Sequence, residues 1–117
     1  MSTPENDRRI DYIELQARDV AASKAFYISV FGWKFTDYGD DYSSFEDGRI
    51  TGGLTQADSI VRGGPLVVMY AVDLEAVEKA VIEHGGTVVK PIFSFPGGRR
   101  FQFTDPAGNE LAVWSDR

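Results

Sequence analysis

Two short stretches carry the side chains best placed to do chemistry. Tyr12, Glu14 and Gln16 alternate with Ile13 and Leu15, and Glu110, Ala112 and Trp114 alternate with Leu111 and Val113. Such alternation marks a strand with one packed face, so each polar set projects to a single side. Two carboxylates and a phenol converging on a hollow could hold a cation, take up a proton or orient a ligand. The single histidine, His84, excludes a multi-histidine metal cluster within one chain, and the lack of cysteine excludes disulfides, thiolate metal sites and a thiol nucleophile. His84 sits in "IEHGG", the last turn of a predicted helix, where a cation suits the helix dipole; capping or surface exposure is its expected role. Arg99 and Arg100 follow two glycines and are read either as a clamp for an anionic ligand or as solvated turn charges. The sequence has no Gly-x-Ser-x-Gly elbow, and "GGRRFQF" lacks the Lys-Ser/Thr of a phosphate-binding loop.

The chain that must position these groups has 117 residues, 43% hydrophobic and 26% charged, which fits one soluble globular domain with a real core. A net charge of −6 argues against a nucleic-acid partner, which calls for a basic surface. The stretch "MSTPENDRR" is too polar for a secretory signal, and no apolar run reaches the ~18 residues of a membrane span. A cytoplasmic protein with no membrane partner is therefore expected.

The elements repeat. "RIDYIELQARD" reads as a strand, Asp19 as a helix N-cap, "VAASKAFYISVF" as a helix and Gly32 as its stop. "PLVVMYAVD" replays the strand, Asp73 the cap and Gly85-Gly86 the stop, with Leu74, Val77 and Val81 sharing one helix face and Ile82 beside them. Asp19 and Asp73 are 54 residues apart, as are Gly32 and Gly86. Each half ends in a hairpin with a turn glycine, Gly48 and Gly108. The expected organisation is one domain, 1–117, built from a βαβββ module over 8–54, a linker over 55–64 and a second module over 65–115.

At "IDYIELQARDVAASKAFYISVFGWKF", "VDLEAVEKAVIEHGGTVV" and "PGGRRFQFTDPAGNELAVW" the chain resembles the vicinal-oxygen-chelate superfamily, which includes glyoxalase I, bleomycin-resistance proteins and extradiol dioxygenases. The resemblance spans nearly the whole chain. It implies an α+β fold in which two βαβββ modules form a curled, cup-shaped mixed sheet with helices outside, and it implies a homodimer. Enzymes of the superfamily hold one divalent ion with His, Gln or Glu side chains from the first and last strands of each half. Carried over by motif, those positions are Tyr12, Gly52, Val67 and Ala112. Three of them have no donor side chain, and one phenolate alone does not build a site. No cofactor is expected.

The alternation places Tyr12, Glu14, Gln16, Glu110 and Trp114 inside the cup. In "PLVVMYAVD", apolar on both faces, Val67, Met69 and Ala71 are expected inward. Phe101 and Phe103 alternate with Gln102, so one set or the other faces in; the two phenylalanines, with Leu54, complete the expected lining. Phe93 and Phe95 flank the mouth in "KPIFSFPGGRR", while Phe26, Phe31 and Phe35 belong to the core. A metal-free cup of this kind suits an apolar or aromatic small organic molecule. Two alternatives stand beside it: a metal-dependent lyase or dioxygenase whose site has moved to Glu14, Gln16 and Glu110, and an interaction module whose aromatic surface meets a protein.

Overall fold

The computed structural model describes residues 4–8 and 10–117. Residues 1–3 and 9, part of the polar opening stretch, lie outside the described residues. The first half consists of β1 (Tyr12–Ala17), α1 (Val20–Phe31), β2 (Lys34–Asp37), β3 (Tyr42–Glu46) and β4 (Thr51–Gln56). The second consists of β5 (Val67–Tyr70), α2 (Leu74–Glu83), β6 (Thr87–Phe95), β7 (Gly98–Thr104) and β8 (Glu110–Ser115). Each half forms a four-stranded mixed sheet, in the orders β1-β4-β3-β2 and β5-β8-β7-β6. In both, the first strand runs parallel to the last and the other pairs are antiparallel. The fold is α+β, and its two sheets are curled without closing. β4 runs to Gln56, two residues past the expected module boundary at 54. Among the described residues no helix is long and apolar enough to cross a membrane.

The helix signals act as the residue chemistry dictates. The carboxylates of Asp19 and Asp73 accept from the N–H groups of Ala22 and Ala76, each at 3.1 Å, relieving donors that a helix start leaves unpaired. Gly32 ends α1 at φ 70°, and its N–H returns to the Ile28 carbonyl. In α2, exposed His84 is the cap and Gly85 takes the left-handed turn at φ 99°. Gly85, not Gly86, therefore does what Gly32 does. Gly86 is glycine for another reason: a Cβ there would come within 2.5 Å of Val81.

One hydrophobic core spans both halves beneath the helices. Tyr27 stacks on Trp33 at 4.4 Å and Trp33 on Phe45 at 4.3 Å, while Phe26 and Phe31 reach Phe103 of the other half at 6.2 and 6.1 Å. Six residues expected to face the hollow belong to this helix-side layer. Leu54 pairs with Leu15, Phe101 with Val113 and Phe103 with Leu111, so pleating turns all three toward the helices, where each is 0% exposed. Met69 pairs with Val113 and packs against the same core, as does Val67 opposite Leu111. Ala71 is likewise buried there, so the expected parity of the second half's first strand is off by one.

A buried carboxylate ties the halves together. Asp105 is 3% exposed and accepts from the backbone N–H groups of Ala107, Gly108 and Asn109 at 2.9–3.0 Å. It also accepts from Asn109 Nδ2 at 3.0 Å and from the Tyr27 hydroxyl of α1 at 2.8 Å. Asn109 Nδ2 in turn donates to the Gln16 carbonyl of β1 at 2.6 Å. Burial, then the charge of Asp105, pushes the Tyr27 phenol well above its ordinary pKa, so it stays a donor. Asp105→Ala removes the acceptor of five hydrogen bonds and is expected to lower unfolding free energy by about 3 kcal/mol or more, against roughly 1–2 kcal/mol for Tyr27→Phe. Urea denaturation of the two variants measures both; equal losses would mean that the turn contributes nothing beyond the tyrosine bond.

Candidate functional site

With the core faces fixed, pairing register assigns the opposite, concave face. On the first sheet it carries Tyr12, Glu14 and Gln16 of β1, Thr51, Gly53 and Thr55 of β4, and Tyr42 and Ser44 of β3. On the second sheet it is laid out in cross-strand rows. One row runs Phe93, Arg100, Trp114 and Tyr70; the next runs Lys90, Gln102, Ala112 and Val68; a third holds Thr104 and Glu110. Successive rows lie about 6.6–6.8 Å apart along the strands.

A cleft of about 920 Å³ opens where β1 meets β5 and β8. Tyr12, Glu14 and Gln16 line it from the first half, and Val68, Gln102 and Glu110 from the second, with residues 61–66 of the β4–β5 connection along one side. The Tyr12 and Tyr42 hydroxyls are hydrogen-bonded to each other, and Tyr42 donates to Glu14 Oε2 at 3.1 Å. A Cβ on Gly53 would lie 2.1 Å from the Tyr42 hydroxyl and 2.8 Å from that of Tyr12, so the glycine is what lets the phenols meet. Partial burial, then the bonds to Tyr12 and Glu14, raises the pKa of Tyr42 and keeps it protonated. Across the cleft Glu110 accepts from Arg62 Nη2 at 2.7 Å and from Gln102 Nε2 at 2.8 Å. The Arg62 bond, then that of Gln102, holds Glu110 below the usual carboxylate range.

The expected lining is thus divided. Tyr12, Glu14, Gln16 and Glu110 share the cleft, whereas Trp114 and Phe93 lie on the same concave surface one end further along. Gln102 rather than Phe101 and Phe103 faces in, and Val68 and Tyr70 rather than Met69. Tyr70 offered a signal for that parity, because its hydroxyl needs a wet or hydrogen-bonding face and finds Asp116 at 2.6 Å. Tyr42 was legible from its alternation with Ser43 and Phe45. Arg62 was not, since it sits in a linker without periodicity.

The geometry has counterparts among known proteins. The sequence model described as Glyoxalase/Bleomycin resistance protein/Dioxygenase superfamily matches residues 9–113. The chain belongs to that superfamily. Within it, the chain is 33% identical over 124 residues to the anthracycline biosynthesis protein DnrV of Streptomyces peucetius, a match covering 88% of the chain and 45% of that protein. It is 30% identical over 115 residues to the putative glyoxylase CFP32 of Mycobacterium bovis, covering 89% and 44%. The chain therefore spans less than half the length of these curated relatives. A crystal structure of a superfamily enzyme from Burkholderia phytofirmans PsJN superposes with a TM-score of 0.81 over 92% of the chain and 100% of that chain, at 16% identity, which shows the shared fold.

The superfamily's metal can be tested against the donors present. Gly52 faces the helix layer, where a Cβ would strike the Ile13 carbonyl and the Phe45 ring at 2.2 Å; its concave neighbours are Thr51 and Gly53. Val67 likewise gives way to Val68. With Tyr12 and Ala112 these positions supply no histidine, carboxylate or amide. Of the relocated set, Glu14 is bonded to a phenol, Gln16 Oε1 accepts from the Val61 N–H at 3.2 Å and Glu110 is ion-paired. Among the described residues no group of three or more His, Cys, Asp or Glu could hold a metal ion. The donor set does not fit a divalent ion.

Removing Arg62 tests this electrostatic picture. Arg62→Met is expected to raise the Glu110 pKa toward the usual carboxylate range, read by NMR titration of its side-chain carbonyl. Because the folded value is depressed, the ion pair stabilises above the unfolded carboxylate's pKa and is lost as pH falls through the lowered one. An unmoved Glu110 titration in the variant would show that Gln102 alone sets it.

Proposed function

We propose that the chain is a metal-free small-molecule-binding protein of the glyoxalase/bleomycin-resistance type, cytoplasmic and homodimeric, holding an apolar or aromatic organic ligand on its concave face. The observation that carries the proposal is the replacement of every inherited metal position by Tyr12, Thr51 or Gly53, Val68 and Ala112, with Tyr12 and Tyr42 hydrogen-bonded to each other beside Gly53. A cleft with apolar walls from Ile10, Val61, Leu66 and Val68 and a few polar groups from Tyr12, Gln102 and Glu110 supports binding of an amphipathic molecule oriented by hydrogen bonds. Exposure of Tyr12 (42%) and Tyr70 (49%) supports the same surface as a place of contact. The Streptomyces relative is named for anthracycline biosynthesis, which is work on small organic molecules. Ligand-binding roles fall to Tyr12, Glu14, Gln16, Glu110, Trp114 and Phe93, joined by Gln102, Val68 and Tyr70.

Two measurements test the proposal. Incubation with Ni(II), Zn(II), Mn(II) or Fe(II), then removal of free metal, is expected to leave well under one ion per chain. Stoichiometric uptake abolished by Glu14→Ala or Glu110→Ala would overturn the metal-free reading, and the lyase or dioxygenase alternative further predicts activity lost on chelation and restored by one divalent ion. A thermal-shift screen of small organic molecules is expected to yield ligands whose stabilisation grows with concentration over Kd. A screen without such ligands, alongside capture of the folded protein by a protein partner, would favour an interaction module.

A further inference from the structure

β7 carries two successive arginines, and pleating sends them to opposite faces. Arg99 turns to the helix layer, where Nη1 and Nη2 donate to Glu75 at 2.6 and 3.2 Å and Nε to the Arg117 carbonyl at 2.9 Å. Arg100 turns to the concave face and is half-buried there. Its guanidinium carbon lies 5.3 Å from the Phe93 ring centroid and 5.9 Å from that of Phe95. Its Nε is buried without a hydrogen-bond partner, and among the described residues no acid or carbonyl reaches its other nitrogens.

Among the described residues the other cations without a carboxylate partner, Arg18, Lys34, Arg49, Lys79 and Lys90, are exposed, whereas Arg100 is half-buried. Lys24, Arg62 and Arg99 each have a carboxylate. Of the five N–H donors of the guanidinium, the one on Nε is buried, and contact with ring faces steadies the plane while satisfying none of them. Its neighbours in the row are Phe93 on one strand and Trp114 on the other, with Tyr70 meeting Trp114 edge to face at 5.3 Å. An unpaired fork beside flat apolar surfaces matches a planar carboxylate attached to an aromatic ring. The fork takes the two oxygens, and Trp114 and Phe93 take the ring.

We propose that Arg100, with Phe93, Trp114 and Tyr70, is a carboxylate-recognition subsite that selects aromatic acids over their neutral counterparts. This deepens the small-molecule reading, on which it rests, by naming the class of ligand. Four strand residues separate Glu110 from Trp114, about 13 Å, so an acid seated at Arg100 keeps clear of the like charge on Glu110.

The test is calorimetric titration of the full chain with 2-naphthoate and with 2-naphthamide, which share shape and differ in charge. Wild type is expected to bind naphthoate roughly tenfold or more tightly than the amide, as charge-assisted bonds give. Arg100→Gln should lose that preference. Arg100→Lys, which keeps the charge but not the fork, should retain part of it; this variant also carries the test should Arg100→Gln not fold. Equal affinities in wild type, a preference that survives in Arg100→Gln, or no binding of naphthoate overturns the subsite. The broader small-molecule reading answers separately to the thermal-shift screen, which contains neutral ligands.

Discussion

The buried carboxylate of Asp105 is the constraint on which the rest of the molecule depends. A charge at 3% exposure persists only where donors surround it, and here five do. Three are backbone amides of its own turn, which fixes how β7 hands over to β8. One comes from Tyr27 on the other half's helix, and the last belongs to Asn109, which also binds the carbonyl of Gln16. The same few atoms thus close a hairpin, dock α1 against the second half and set β1 beside β8. The cleft exists because those two strands are held at that spacing.

What the concave face presents is graded along the strands. Near the linker it is polar, with two carboxylates that each have a partner: Glu14 a phenol and Glu110 an arginine. Two rows further along it is aromatic, and its one cation, Arg100, is held only by ring faces. Ala112 lies between the two regimes, a buried methyl at a position where the resemblance implies a metal donor. Such a surface is better built to orient a flat, amphipathic molecule than to polarise one. The polar end offers hydrogen bonds with fixed partners, and the aromatic end offers contact area and an uncommitted charge.

The first half was largely legible because its strands alternate cleanly. Ile13 and Leu15 against Tyr12, Glu14 and Gln16 leave one choice of facing, and β8 offers the same choice through Leu111 and Val113. Where both faces are apolar, as in Val67, Val68 and Met69, alternation carries no information, and the one-residue error there moved every side chain to the wrong side. Phe101 and Phe103 misled for a related reason: aromatic rings suit a core as well as a pocket, and only pairing with Leu111 and Val113 separates the two. Leu54 followed the same logic through Leu15.

The sequence by itself determined the duplicated βαβββ order, the aspartate caps, the exclusion of thiolate sites and of a multi-histidine cluster within one chain, and the parity of the two strands that frame the cleft. These are local properties, written in spacing and side-chain type. Tertiary structure alone decided which of two adjacent arginines has a carboxylate, which glycine makes room for two phenols, and which face of β5 packs on the core. Each of those depends on a neighbour distant in sequence, and a hydrogen bond or a clash with such a neighbour leaves no periodic trace in the chain.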